Sequence, residues 1–542
     1  MSATLKSLLW PVGPPGVIPN SAWAADLDLP TLAAELDFDR RHARQIHDLL
    51  IALVEDLPTI RHRQDVLRDL LTSAGIATRL ERLLPAHGTL ATTARPGWTA
   101  DETPLLAVAR RIGELDLYVT TVTELISALE GHELASEGLR TLRSDLQAIA
   151  ADPIFARLVV ELPALKEPLE RLASVTVGIN LDSDLRPTGA TLVAINDFRF
   201  GGPQGLLGRL LGEGAAPGIT PLRTVDPRAP DPFAAQLFRD LGRLLSGVTE
   251  SLAKGLERYR RMTAAPLGAL QAELAFFLGA VRLVRRLEAA GLPCVFPELL
   301  PADRRRTRLD GFYDLSLALR VPERASSSLV LNDVRLDEHG RIAIVTGPNR
   351  GGKTTFTRGI GLAHVMAQAG LPVPARQASL SPSQGIFTEF ASGETTTVGH
   401  GRFDEEARRL AMIFEHATPS SLVLLNEPLS GTSPDEALQI ARGVVTGLQQ
   451  LGARTIVVTH LHALAGDAAL LSAAIPESPV VSLVASPANG SVNDDGVQRS
   501  FRVVPGPPAG ESRALEIARH HGLTGEQVSA RLRARGLLGP DA

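Results

Sequence analysis

The sequence predicts a multidomain protein: α-helical regions first, then an α/β domain built on a parallel sheet, then a short C-terminal helical pair. Three observations predict it. The 542 residues exceed one ordinary core, so two to four domains of roughly 100–200 residues are expected. Through most of the first part of the chain, apolar residues recur at helical spacing. After "ADRRRTR" short apolar runs alternate with helix-compatible stretches, the rhythm of strands joined by crossover helices.

Residues 1–100 begin as a proline-broken arm, "MSATLKSLLWPVGPPGV", whose single lysine and Pro11 do not make a secretory core. Helical patterns follow, such as "TIRHRQDVLRDLL", where Ile60, Val66, Leu67, Leu70 and Leu71 share one broad face. Residues 101–325 are expected to be mainly helical, with a small β element near 174–198. There Val175, Val177, Ile179 and Leu181 alternate, and "ATLVAI" follows the turn-rich "DSDLRPTG", which predicts a hairpin or two short strands. The Gly/Pro-rich stretch 200–232 reads as a loop.

Phe233, Leu237, Leu241, Leu245, Val248, Leu252, Leu256 and Tyr259 then advance by three or four, as do Leu270, Leu274, Phe277, Val281 and Val284 beyond Pro266. At ~1.5 Å per residue these are helices of some 25–40 Å, long enough for rigid arms and equally compatible with a plain bundle. Residues 326–505 hold the α/β domain: strand "RIAIVTG", a helix from Lys353, and strands "SLVLLN" and "RTIVVTH". A polar, Pro/Gly-rich interval from about 476 to 510 is expected to end it. Residues 506–542 contain "SRALEIARHHGLTGEQVSARLRARGL", read as two short helices around Gly522.

Composition narrows the function. With 44% hydrophobic and 21% charged residues, the chain has the balance of a soluble globular protein. The net charge of −5 argues against a uniformly basic nucleic-acid coat, though not against a local basic channel. Cys294 is the only cysteine, so no intrachain disulfide or cysteine-based zinc site can form. The apolar run "LGALQAELAFFLGAVRLV" carries Gln271, Glu273 and Arg282 and reads as a buried helix, so no membrane span and a cytoplasmic location are expected. Lysine is rare: Lys6, Lys166, Lys254 and Lys353 are the only ones.

One of the four sits in a glycine loop, "GPNRGGKTT". Gly347, Gly352, Lys353 and Thr354 complete G-x-x-x-x-G-K-[ST] between a strand-like and a helix-like run. Main-chain N–H groups of Gly347, Pro348 onward through Asn349, Arg350, Gly351, Gly352, Lys353, Thr354 and Thr355 surround such a phosphate site, except at the proline. Lys353 balances phosphate charge, and Thr354 can ligate Mg²⁺, which makes ATP and Mg²⁺ the expected cofactors. In "SLVLLNEPLSGTSPDEA", Glu427 at a strand tip could orient or deprotonate an attacking water. Most P-loop enzymes place a metal-holding aspartate just before it. Here Asn426 offers a hydrogen-bond acceptor without charge, so weaker metal binding and slow hydrolysis are expected. In "RTIVVTHLHAL", Thr459 and His460 end another strand, where a histidine could sense the γ-phosphate.

In this order and spacing, "TGPNRGGKTT", "VPA", "IFTEF", "ATPSSLVLLNEPLSGTS" and "VVTH" resemble the ATPase domain of the MutS family of DNA mismatch repair proteins. Upstream, "SLLWP", "DLDLPTL", "TIRHRQDVLRDLL" and "VTVGINLDSDLRP" look like the shorter MutS-related proteins, and the resemblance covers nearly the whole chain. It implies a helical core and lever followed by the ATPase, and a C-terminal helical pair that joins subunits. It also implies a homodimer whose paired ATP sites drive a clamp of helical arms around mismatched, branched or damaged DNA. Position by position, it implies Gly347, Asn349, Gly352, Lys353 and Thr354 as the phosphate loop, Glu427 as the catalytic carboxylate and His460 as the switch histidine. Asn332, in "VLNDV", matches a position near the adenine.

Three departures stand out. The family's trans-acting Ser-Thr-Phe reads here as Gly401, Arg402 and Phe403, so the serine that reaches the partner's γ-phosphate is absent, and Arg402 is left to supply charge. Asn426 replaces the usual aspartate, as it often does in the short relatives. No Phe-x-Glu wedge is found, which removes the physical basis for direct mismatch reading. The arginines of "RYRR" and "RLVRR" are then candidate phosphate contacts on the arms. Two other readings compete: a nucleotide-gated scaffold with little turnover that acts through a protein partner, and an ABC-type ATPase. The second is the weaker, because the helical-insertion signature expected between the loop and residue 421 is missing.

Overall fold

The computed structural model describes residues 5–13, 21–86, 104–184, 187–198, 245–260, 262–321, 329–349, 351–390, 402–487, 499–508, 519, 521–535 and 537. Several sequence expectations therefore lie outside the described residues: the 200–232 loop, the start of the helix expected from Phe233, the first helix of the tail, Arg350 and Gly401. The chain forms two compact units, each assembled from separated stretches. One contains Met1–Lys6, Gly75–Leu134 and Leu139–Leu274; the other contains Ser7–Ala74, Ala135–Gly138 and Ala275–Ala542.

Among its described residues the first unit is helical apart from one hairpin. Helices Pro104–Leu129, Pro153–Glu170 and Ser246–Glu257 share a core of Val108, Ile112, Leu115, Leu158, Leu162, Leu252 and Leu256. Its polar joint is Arg111, which pairs with Glu114 at 2.6 Å and donates to the carbonyls of Tyr259 and Met262, each at 2.6 Å. Two arginines of "RYRR" have carboxylate neighbours while remaining exposed: Arg258 faces Glu161 at 3.2 Å and Arg260 faces Glu257 at 3.3 Å; Arg261 lies outside the described residues. Strand β1 (Ser174–Leu181) pairs antiparallel with β2 (Pro187–Asn196), and Val175 lies opposite Ile195.

In the second unit a four-stranded sheet combines β3 (Glu298–Leu299), β4 (Thr307–Phe312), β5 (Asn332–Leu336) and β7 (Gln377–Leu380) in the order β3-β7-β4-β5. Strands β3 and β4 fall in a stretch expected to be helical; their runs are too short for periodicity to tell strand from buried helix. The main sheet has six strands, ordered β12-β11-β6-β10-β9-β8. They are β6 (Ile342–Thr346), β8 (Ile386–Phe390), β9 (Leu422–Asn426), β10 (Arg454–Val458), β11 (Val480–Pro487) and β12 (Arg499–Pro505). All neighbours are parallel except β11 and β12.

The interval from 476 to 510 contains two strands of the main sheet. It supplies β11, which pairs directly with β6, and β12 beside it. Pro479 and Pro487 stand just before and at the end of β11, where a missing N–H costs little.

Helix Lys353–Gln368 is buried along most of its length. The residues before 74 explain why. At Gly361 an added Cβ would lie 2.7 Å from Leu27 and 2.9 Å from Leu424, so the helix is held between the N-terminal arm and the sheet. Arg63, fully buried, donates to Leu9 O at 2.9 Å and to Gln368 O at 3.4 Å, and its guanidinium lies 4.2 Å from the Trp10 ring centre. This places a cation at the negative end of the helix that starts at Lys353.

Helix Ala265–Ala289 is long and apolar enough to cross a membrane, but 72% of its most apolar window is buried inside the protein. Within the second unit, Arg282 donates to Glu35 O at 2.7 Å, and Arg286 pairs with Glu35 at 3.1 Å and donates to Leu319 O at 3.2 Å. Those two arginines of "RLVRR" thus hold neighbouring elements together rather than facing outward for a phosphate backbone. Burial pushes the Cys294 thiol up to about 12.

Glu389 on β8 is buried, with Oε2 lacking a hydrogen-bond partner and Arg409 3.6 Å away. Burial pushes its carboxyl from 4.5 up to about 7; Arg409 opposes this, while Asp26, Glu406 and Glu405 add to it. Between those pH values the folded state keeps a proton that the unfolded chain releases, so stability falls as pH rises through the window and levels off above it. Glu389→Gln is expected to flatten that fall and raise the urea midpoint at pH 8 relative to pH 5. Asp26, raised in the same direction by burial, leaves a residual slope.

Candidate nucleotide site

The loop between β6 and helix Lys353–Gln368 depends on two glycines. Gly347 has φ +136°, and a Cβ there would lie 2.7 Å from Ala485 Cβ and 3.1 Å from its backbone nitrogen on β11. Gly352 caps the helix with φ +88°. A side chain at the first would collide with a central strand, and at the second it would occupy a left-handed backbone. Lys353 Nζ donates to Gly347 O at 2.9 Å and Pro348 O at 3.0 Å. Burial lowers its pKa, and the Glu427 charge opposes that shift. Asn349 and Thr354 are exposed, and Thr355 is half-buried.

The parallel register brings the remaining groups to this edge. Val458 of β10 lies opposite Val345 of β6 on one side and Asn426 of β9 on the other. Thr354 Oγ1 donates to Asn426 Oδ1 at 3.2 Å. Just beyond β9, Glu427 adopts φ +58°, with its N–H donating to Val458 O at 2.9 Å. Its Oε1 lies 2.9 Å from His460 Nε2. That hydrogen bond, more than the charges of His460 and Lys353, holds the Glu427 carboxyl below its ordinary range against the effect of burial. The Thr459 N–H donates to Val345 O at 3.0 Å, and Thr459 Oγ1 accepts from Leu461 N at 3.0 Å, so the turn carrying His460 is pinned on both sides.

Asn332 lies at the start of β5, and both ends of its amide are engaged: Nδ2 donates to Phe501 O at 3.2 Å, and Oδ1 accepts from Val503 N at 2.8 Å. It therefore secures β12. The residue it secures, Phe501, has φ +53° and is 43% exposed, and its ring lies 3.4 Å from where a Cβ on Gly352 would stand. Sequence reasoning missed Phe501 because it lay in the interval taken as a domain end. Its only signal was a lone aromatic in "RSFRVV".

Among the described residues no group of three His, Cys, Asp or Glu side chains could hold a metal ion. Thr354 Oγ1 and Asn426 Oδ1 are two neutral oxygens side by side, a donor set suited to a hard ion that keeps most of its ligands as phosphate and water. Of the trans-acting positions, Arg402 opens helix Arg402–His416, and Phe403 packs against Gly431.

A buried strand running into a two-glycine loop, a lysine at the following helix start and a carboxylate at the tip of a second parallel strand define a P-loop nucleotide-binding domain. Residues 343–528 match the model for MutS domain V, and residues 55–290 match that for the MutS2 N-terminal domain. The chain is MutS-related. It is 34% identical over 313 residues to the Endonuclease MutS2 of Thermomicrobium roseum, covering 56% of this chain and 36% of that protein. It is 37% identical over 219 residues to the DNA mismatch repair protein MutS 2 of Halobacterium salinarum, covering 40% and 24% of the two chains. With the DNA mismatch repair protein MutS of Brevibacillus brevis it shares 40% over 148 residues, 27% of this chain and 17% of that one. The matched regions thus span little more than a third of these relatives at most.

Proposed function

We propose that this protein is a MutS-type ATPase that binds DNA as a homodimer in the cytoplasm and acts in mismatch repair or a related recognition of DNA structure. ATP binding and hydrolysis control its helical arms. The observation that carries this reading is the convergence of Lys353, Thr354, Asn426, Glu427 and His460 on one sheet edge, within a chain related to MutS over both its helical and its α/β parts.

Each residue has a task that follows from its surroundings. The loop N–H groups and the start of helix Lys353–Gln368 bind phosphate, and Lys353 turns its ammonium to it. Phe501 offers an exposed aromatic face beside the loop for the base, with Asn332 holding it in place. Glu427, ionised at neutral pH and aimed by Val458 O and His460, accepts a proton from the attacking water. His460 couples the state of that carboxylate to the phosphate end of the site. Bound Mg²⁺ neutralises phosphate charge, and Thr354 and Asn426 are the residues that would hold it.

The neutral amide of Asn426 favours a second reading, a nucleotide-gated scaffold with little turnover that acts through a protein partner. Steady-state ATPase measurements with Mg²⁺, with and without matched, mismatched and branched duplexes, separate the two. Turnover stimulated by DNA is expected from the first reading; tight ATP binding with no turnover supports the second. All duplexes are compared at one ionic strength, because phosphate contacts alone shift affinity by ~10³-fold.

A further inference from the structure

The turn that carries Glu427 is anchored at its far end by a carboxylate outside the nucleotide site. Glu406, on helix Arg402–His416, is 6% exposed. Its Oε1 accepts from Ser430 Oγ at 2.9 Å, and its Oε2 accepts from the Gly431 N–H at 3.3 Å. The first turn of the same helix closes on the same place: a Cβ on Gly431 would stand 3.0 Å from Phe403 N and 3.2 Å from Phe403 Cα. Between its two ends the turn contains two non-glycine residues with left-handed backbones, Glu427 at φ +58° and Leu429 at φ +66°. Such conformations persist only where the surroundings over-determine them. The near end is set by the Glu427 N–H bond to Val458 O, and the far end by Glu406.

We propose that Glu406 is a positioning residue for hydrolysis. By fixing Ser430 and Gly431 it maintains the backbone that aims Glu427, and it ties the placement of helix Arg402–His416 to the reacting end of β9. This rests on the ATPase reading above. Both carboxylate oxygens of Glu406 bond to the turn itself, so its loss acts on the turn that carries Glu427. A glutamine keeps one acceptor for the Gly431 N–H and can donate to Ser430, whereas alanine keeps neither bond.

The test uses the full chain and two readouts. In Mg-ATP turnover, Glu406→Ala is expected to lower kcat by about 10- to 100-fold at unchanged KM, the scale of a small misplacement of a reacting group. Glu406→Gln recovers most of the loss, and adding Ser430→Ala to Glu406→Ala costs little more. By hydrogen exchange without nucleotide, Glu406→Ala is expected to lose protection at residues 427–431. A kcat within twofold of wild type, or a raised KM at unchanged kcat, overturns the proposal, as does unchanged exchange in the turn. If Glu406→Ala does not fold, Ser430→Ala takes its place, with the same direction and a smaller loss expected. A wild-type chain that binds ATP without turnover overturns the hydrolysis reading; the anchoring role is then decided by exchange at 427–431 alone.

Discussion

Lys353→Ala is expected to abolish ATP binding in the micromolar range, measured by titration calorimetry or with a fluorescent nucleotide. Hydrogen bonds to charged groups contribute about 1.5–3 kcal/mol each, so loss of two contacts to phosphate oxygens corresponds to roughly 10²- to 10⁴-fold in affinity. Lys353 is the only lysine in the loop sequence "GPNRGGKTT". Lys353→Arg is expected to restore little. The compact ammonium fits between Gly347 O and Pro348 O, and a planar fork on a longer stem does not. Unchanged affinity in Lys353→Ala would remove the assignment of this loop as the nucleotide site.

Glu427→Gln gives the opposite pattern: nucleotide affinity is retained and hydrolysis falls by about 10²- to 10⁴-fold, the usual contribution of a positioned base. Glutamine preserves volume and can bond His460, but it cannot take the proton of water. Single-turnover measurements with pre-bound ATP separate this from a binding defect, and a variant that hydrolyses at the wild-type rate assigns the base elsewhere. The pH dependence follows from the sign of the shift. The Glu427 carboxyl is held below its ordinary 4.5, so the base stays ionised throughout neutral and mildly acid solution. Its stabilising bond is present above the unfolded value and is lost as pH falls through the folded one.

The site was legible because its chemistry is local. Gly347 and Gly352 are read from backbone demands within six residues, and β6, β9 and β10 are short apolar runs ending in Thr346, Asn426 and Val458. Their order placed Lys353, Glu427 and His460 on one edge. Other parts were not legible, for identifiable reasons. β11 was not legible as a strand because prolines flank it in a polar interval, and Phe501 was hidden in the same interval. Arg282 and Arg286 read as open cations because the carbonyls and carboxylate they meet lie in distant stretches, on Glu35 and Leu319.

By itself, then, the sequence determined a glycine loop leading into Lys353 at the start of a helix in a parallel α/β domain, because glycine conformation and strand hydrophobicity act over a few bonds. The tertiary structure alone decided that the N-terminal arm covers the helix of that loop, that Arg63 meets Gln368 O 305 positions away, and that Glu406 holds the turn behind Glu427. A buried polar group is stable only with a partner, and which partner arrives is a property of packing that spacing along the chain does not carry.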